Sequence, residues 1–162
     1  MLKAVIFDFG QTIMPETLDI EDSPVELMPG VFEALTQITL TKGIWANTRD
    51  TTALQIRYWL KRAQLDAYIQ WVITSFEIGY RKPSLEFFTS ALMQCGLRAS
   101  EIVFVGNQLN TDIVGANNAG IRNVYLADEK YRSPDESPET PVTPTYTIDS
   151  LLELPRLIQR LD

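Results

Sequence analysis

The sequence contains no histidine. No imidazole is available as general base, phosphoryl acceptor or zinc ligand, which excludes histidine-dependent hydrolases and zinc sites. There is one cysteine, Cys95, in an apolar stretch. No disulfide framework can form, a reducing compartment is expected, and Cys95 reads as core packing. Basic residues never run longer than the pairs Lys61–Arg62 and Arg81–Lys82, and 14 basic against 21 acidic residues leave a formal net charge of −7. Nucleic acid is not an expected partner, because neutralising a phosphate backbone needs a basic face. Long hydrophobic runs are missing as well. The apolar run in MLKAVIFDFG is too short for a signal-peptide core, and no window approaches a membrane span. These absences predict a soluble, cytoplasmic chain whose acid, base and metal chemistry must come from carboxylates, amides, hydroxyls and lysine.

What the chain does contain is a regular alternation. Its 162 residues, 45% of them hydrophobic, suit one domain over 1–162 with a core that needs no staples. Short apolar runs, each followed by a loop and a period-3.6 stretch, predict βα units and a parallel sheet. The expected strands are Lys3–Phe7, Gly43–Ala46, Trp71–Thr74, Ile102–Val105, Asn123–Leu126 and Tyr146–Ile148. A first helix follows Pro29-Gly30, with Val31, Ala34, Leu35 and Ile38 on one face. A second is expected over 50–63 with Asp50 as N-cap, a third from Pro83 to Cys95 ended by Gly96, a fourth over 110–118, and a last one from Asp149. Residues 128–145, with Pro134, Pro138, Pro141 and Pro144, read as an exposed loop. The loop 14–29 carries Glu16, Asp19, Glu21, Asp22 and Glu26 without a basic residue, and reads first as a solvated polar loop.

In a parallel α/β sheet ligands bind beyond the carboxyl ends of the strands, so Asp8, Ala46–Asn47, Lys82 and Gly106–Asn107 are the residues of interest. An Asp leaving a hydrophobic strand is a nucleophile or cation ligand, or an ordinary turn residue. Lys82 could be an exposed lysine at a helix start, and Asp112 an acid placed to suit a helix dipole.

Four segments, taken in order, carry a family likeness. Val5-Ile-Phe-Asp8-Phe-Gly-Gln-Thr12-Ile resembles the first motif of the haloacid dehalogenase (HAD) superfamily, D-x-D-x-T or D-x-D-x-V after an apolar strand. Gly43-Ile-Trp-Ala46-Asn47 stands where the second places a strand ending in Ser or Thr. Tyr80-Arg81-Lys82-Pro83 is similar to the third, and Val103 to Gly120, through Gly106-Asn107, Asp112 and Gly115-Ala116, to the fourth, G-D-x-x-x-x-D followed by G-A-x-x-A-G.

The resemblance implies a Rossmann-like α/β fold, an open and mostly parallel sheet with helices on both faces. It also implies hydrolysis, most often of a phosphomonoester, through an aspartyl intermediate. Asp8 would be the nucleophile and Lys82 the charge-compensating lysine. Asp8, Gly10, Asn107 and Asp112 would hold Mg²⁺, and Ala46, Asn47 and Thr48 would meet the substrate. Three positions depart from the motif. Gly10 replaces the second Asp, which serves as general acid–base, a role worth roughly 10²–10⁴-fold. Ala46 replaces the phosphate-binding hydroxyl, for which Thr48 is the nearby substitute. Asn107 replaces a metal-ligating Asp, so weak Mg²⁺ binding is expected, since hard cations rely on carboxylates. The intervals between motifs leave no room for a cap domain, so the site should be open to a phosphorylated small molecule or macromolecule. Two expectations stand side by side: a slow or specialised phosphatase, and a catalytically inactive pseudoenzyme that binds a protein partner or serves regulation.

Overall fold

The computed structural model describes residues 1–15, 25–131, 138 and 140–161. Six strands, β1 (Ala4–Phe7), β2 (Thr41–Ala46), β3 (Trp71–Thr74), β4 (Ile102–Gly106), β5 (Arg122–Leu126) and β6 (Tyr146–Ile148), form one sheet in the order β3-β2-β1-β4-β5-β6. Every neighbouring pair is parallel. The order reverses direction at β1, so the crevice for a ligand opens at the carboxyl ends of β1 and β4. The register brings Phe7 opposite both Ile44 and Val105, and Asp8 continues the ladder by donating its N–H to the Val105 carbonyl at 2.8 Å.

Side chains alternate across a strand, and β1 shows what that does to the core. Val5 and Phe7 point into one apolar cluster, together with Val31 and Leu35 of α1 (Val31–Gln37), Ile56 and Leu60 of α2 (Ala53–Arg62), and Leu154 and Ile158 of α6 (Leu154–Leu161). Ala4 and Ile6 point into a second cluster, against Phe87, Phe88 and Ala91 of α4 (Leu85–Cys95) and Ala116 of α5 (Val114–Asn118). Helices therefore cover both faces of the sheet. In the second cluster Trp45, Phe87, Phe88 and Phe104 meet edge-on or tilted at centroid separations of 5.5 to 6.4 Å, a geometry that adds to plain area burial. Cys95 packs against this cluster, and burial raises its thiol to about 11, which leaves it an unreactive apolar group at neutral pH.

Several boundaries differ from expectation for local reasons. The second helix starts at Ala53, capped not by Asp50 but by Thr52, whose hydroxyl accepts from the Gln55 N–H while the Gln55 side chain accepts from the Thr52 N–H. The third starts at Leu85 under a Ser84 cap, so Pro83 lies before the helix and not in its first turn. The fourth is split into a wider turn, Leu109–Ile113, followed by α5. The last begins as a tight turn capped by Ser150 before α6. A short helix that periodicity does not reveal, α3 (Ser75–Ile78), follows β3 directly and is capped by Thr74.

Among the described residues no cap domain is inserted between β1 and α1 or between β3 and α4. No described helix is long and apolar enough to cross a membrane. Of the acidic loop, Glu26 is described and exposed, while Glu16, Asp19, Glu21 and Asp22 lie outside the described residues, as does much of the Pro-rich segment.

Candidate active site

β1 ends at Phe7, so Asp8 emerges at the centre of the carboxyl edge. The chain then turns sharply. Thr12, Ile13 and Met14 each donate a backbone N–H to the Phe9 carbonyl, and Gln11 takes a left-handed backbone with φ 56°. That conformation is unusual for a residue with a Cβ. The turn carries the Thr12 hydroxyl to Asp8 and the Gln11 amide to Asn107.

Lys82 is the hub. Its Nζ lies 2.7 Å from Asp8 Oδ1, 2.7 Å from Asp112 Oδ1 and 3.0 Å from the Trp45 carbonyl oxygen. All three ammonium protons are thereby used. The ammonium also sits 5.2 Å from the centroid of the Phe104 ring. Lys82 retains 3% of its exposure and Asp112 1%, against 8% for Asp8, so the nucleophile candidate is the one that reaches the crevice. Asn47 fixes the lysine from behind. Its Nδ2 donates to the Lys82 carbonyl at 2.9 Å and its Oδ1 accepts the Lys82 N–H at 2.8 Å.

Asp112 Oδ2 accepts the Gln108 N–H at 3.1 Å. Gly106 makes room for this arrangement, because a Cβ there would collide with the Asp112 carboxyl group. Burial, with help from the Asp8 charge, raises Asp112 to about 7 in spite of Lys82. Burial also acts to lower Lys82, but the two carboxylates outweigh it and hold the ammonium above its ordinary range. With both carboxylates ionised the trio carries one net negative charge.

The other side of the site is neutral. Thr12, fully buried, has its hydroxyl oxygen 3.4 Å from both Asp8 Oδ2 and Asn107 Oδ1. Asn107 Nδ2 donates to Gln11 Oε1 at 3.4 Å, which leaves the amide oxygen facing the Thr12 hydroxyl. Ala46 is buried at the end of β2 and offers no hydroxyl. Thr48 donates its hydroxyl to the Thr51 carbonyl in its own turn and its N–H to Ser75 Oγ at the start of α3, so both donors are engaged within the protein. Gly10 forms a backbone bridge with Met14 and is not in the left-handed region.

Asp8, Asn47, Lys82, Asn107 and Asp112 therefore converge, with Gly10 and Ala46 beside them. Sequence reasoning passed over three contributors: the Thr12 hydroxyl, the Gln11 amide and the Trp45 carbonyl. Thr12 had a signal, the last letter of D-x-D-x-T. Gln11 and the backbone of Trp45 had none, because their roles arise from φ and register.

Mg²⁺ is the cofactor that the motif layout implies. Among the described residues no three acidic groups cluster. Asp112 has both oxygens engaged and Asp8 Oδ1 is held by Lys82, while Asp8 Oδ2 and Asn107 Oδ1 share the one Thr12 hydroxyl proton; these two oxygens, with the Gly10 carbonyl that the motif layout adds, are the ones that would hold the ion. One carboxylate oxygen with two neutral oxygens fits a Mg²⁺ that retains water or takes phosphate oxygens, since this ion is often held by one or two carboxylates plus substrate.

A family model described as HAD-hydrolase-like matches residues 79–154. The glyceraldehyde 3-phosphate phosphatase of Methanocaldococcus jannaschii is 36% identical over 113 residues, which make up 68% of this chain and 48% of that protein. An uncharacterized protein from Listeria monocytogenes serotype 4b shares the fold with a TM-score of 0.82 at 26% identity, over 99% of this chain and 98% of that one. The HAD hydrolase YfnB of Bacillus subtilis, solved bound to magnesium, gives a TM-score of 0.75 at 18% identity, over 97% and 98% of the two chains. The sheet order, the Lys82 trio at its carboxyl edge and these likenesses agree: the chain belongs to the haloacid dehalogenase superfamily. It spans about half the length of the curated relatives it matches.

Proposed function

We propose that this chain is a HAD-type phosphatase domain acting through an aspartyl intermediate, slow or specialised because its general acid and its phosphate-binding hydroxyl are absent and one metal carboxylate is an amide. The observation that carries the reading is Lys82 Nζ held 2.7 Å from each of two carboxylates at the carboxyl edge of the sheet. A buried ion triad is expensive to build for stability alone, because desolvation offsets most of the Coulombic gain.

In this reading Asp8 attacks phosphorus. The Asp8 O–P bond forms as the bond to the leaving oxygen breaks, and water then cleaves the acyl phosphate to return the carboxylate and inorganic phosphate. Lys82 orients Asp8 and offsets its charge, Asn47 fixes Lys82, and Asp112 anchors the ammonium from the far side. Asp8, Asn107 and the Gly10 carbonyl would hold Mg²⁺, which when bound offsets charge on the transferring phosphoryl oxygens. Ala46, Asn47 and Thr48 border the substrate. With Gly10 offering no proton, leaving groups that depart as stable anions are preferred, aryl phosphates among them. The open site suits a phosphorylated small molecule, the kind of compound named for the Methanocaldococcus relative, or a larger phosphorylated partner. The chain is read as capless and cytoplasmic, without a nucleic-acid or membrane partner.

A second reading, a pseudoenzyme that binds a partner, is favoured by one observation: every proton of Lys82 is already committed within the protein. Hydrolysis of an aryl phosphate with magnesium, by wild type and by Asp8→Asn, separates the two. Slow turnover lost in Asp8→Asn supports the phosphatase. Turnover that is unchanged in Asp8→Asn rules out the aspartyl route, and none in either supports the pseudoenzyme.

A further inference from the structure

We infer that the outer edge of β6, with the groove between that strand and α6, docks an extended acidic segment of a partner protein, which adds to the sheet as one more strand. The inference is independent of the chemistry at Asp8.

β6 is an end strand of the sheet and pairs only with β5. The Ile148 carbonyl accepts the Ala127 N–H at 2.9 Å, so the backbone groups of Ile148 and, two residues earlier, of Tyr146 turn inward to β5. Those of Thr147 turn outward, and no described residue bonds to them. Thr147 itself is exposed. The opposite edge of the sheet is treated differently. There Arg57 donates to the Ile69 carbonyl at 3.2 Å and the Gln70 carbonyl at 2.9 Å, which covers the chain as it enters β3. An edge strand with free N–H and C=O groups is a template for another strand unless a charge or a proline blunts it. The strand Tyr146–Ile148 has neither.

What lies beside that edge selects the occupant. Side chains alternate across the strand, so Tyr146 and Ile148 face α6 while Thr147 faces away. With Leu157 they give an apolar lining to a groove of about 300 Å³, which Arg156 and Arg160 border. The two arginines stand one turn apart on α6, and both are exposed. Among the described residues neither forms an ion pair. Glu153, the one carboxylate in the lining, is spent on the turn before α6, where its Oε1 accepts the Asp149 and Ser150 N–H groups at 2.9 and 3.1 Å. In a chain of net charge −7 this sets two uncompensated positive charges next to an open strand edge. A strand with carboxylates at alternate positions matches both features. Its backbone exchanges hydrogen bonds with the Thr147 N–H and C=O, and the acids of one face meet the guanidinium groups, whose donors suit carboxylates. Two copies of this chain paired edge to edge would instead set both arginine pairs side by side.

The test is fluorescence polarisation of the full chain with a fluorescein-labelled heptapeptide of alternating threonine and glutamate at low ionic strength. Three further probes separate the contributions: the same peptide with glutamine for glutamate, the same peptide with its interior backbone nitrogens methylated, and free glutarate as competitor. The expected result is saturable binding that weakens at least about fivefold with glutamine, with methylation, and in the chain carrying Arg156→Gln and Arg160→Gln together. Amide exchange at Thr147 should slow in the complex. Methylated peptide that binds as well as its parent, or displacement by glutarate at the peptide's own concentration, reveals a site for free carboxylates and overturns strand addition. Undiminished binding to the double variant overturns the groove as the selective element. A dimer in sedimentation that the peptide dissociates assigns the edge to a second copy and overturns the inference, as does the absence of saturable binding at millimolar peptide.

Discussion

Two buried lysines lie at opposite ends of the sheet and have opposite electrostatics. Lys42, near the amino end of β2, is 7% exposed and donates only to backbone carbonyls, Ile38 at 2.5 Å and Leu40 at 3.0 Å. Burial lowers it from its ordinary value. Lys82, at the carboxyl edge, is more deeply buried, yet two carboxylates hold it above that value. Burial of a charge alone does not make a site. What distinguishes Lys82 is a pair of acids brought from separate elements, the end of β1 and the turn Leu109–Ile113, 74 and 30 residues away in the chain, to one ammonium.

The sharpest way to break the comparison is to remove each ammonium in turn. Lys82→Met leaves two buried carboxylates uncompensated and should cost about 3–5 kcal/mol in urea unfolding. Lys42→Met removes a strained charge and keeps the apolar stem, so its effect should stay within about 1 kcal/mol. Equal losses would mean that Lys82 is an ordinary packed lysine. Next in size is Gly106→Ala. Its Cβ displaces the Asp112 carboxyl, and overpacking of this kind costs roughly 1–3 kcal/mol. Hydrolysis should fall with it, as the far anchor of Lys82 moves.

A separate effect is a pH slope. Asp112, raised to about 7 in the fold, prefers its protonated form there more than in the unfolded chain. Its contribution to stability is therefore largest below the ordinary carboxylate range and declines as pH rises from about 4 to about 7. Melting curves of wild type and Asp112→Asn across that window should converge as pH rises, because the variant lacks this loss. Parallel curves would show that Asp112 ionises freely beside Lys82.

Most of the architecture was legible because strand and helix periods are local. All six strands were placed to within a few residues, and β3 and β6 were placed to the residue. Beyond the missed α3 and the wider turn at Leu109–Ile113, the errors were errors of capping. The Thr52–Gln55 box is itself a sequence signal that outranks Asp50, and Ser84, whose hydroxyl accepts from the Phe87 N–H, is likewise a better cap signal than Pro83. The site was legible as a set of positions, not as a set of bonds. That Asp8, Lys82 and Asp112 meet follows from strand order. That Lys82 exhausts its donors, or that Gln11 aims the Asn107 amide, depends on φ angles and on a carbonyl of Trp45 that no residue type announces.

The measurement closest to the central claim is reconstruction. Gly10→Asp, Ala46→Ser and Asn107→Asp return the general acid, the phosphate hydroxyl and the metal carboxylate to a frame whose other members are in place. Gly10 is outside the left-handed region, so an Asp there carries no backbone penalty of that kind. These groups act on one transition state, so single changes should gain little and the triple change much more than their sum. Magnesium-dependent hydrolysis of an aryl phosphate should be slow in wild type, rise on the order of 10²-fold or more in the triple variant, and vanish with Asp8→Asn. A folded triple variant that binds Mg²⁺ but stays at the Asp8→Asn level would contradict the account and assign the Lys82 trio to structure alone.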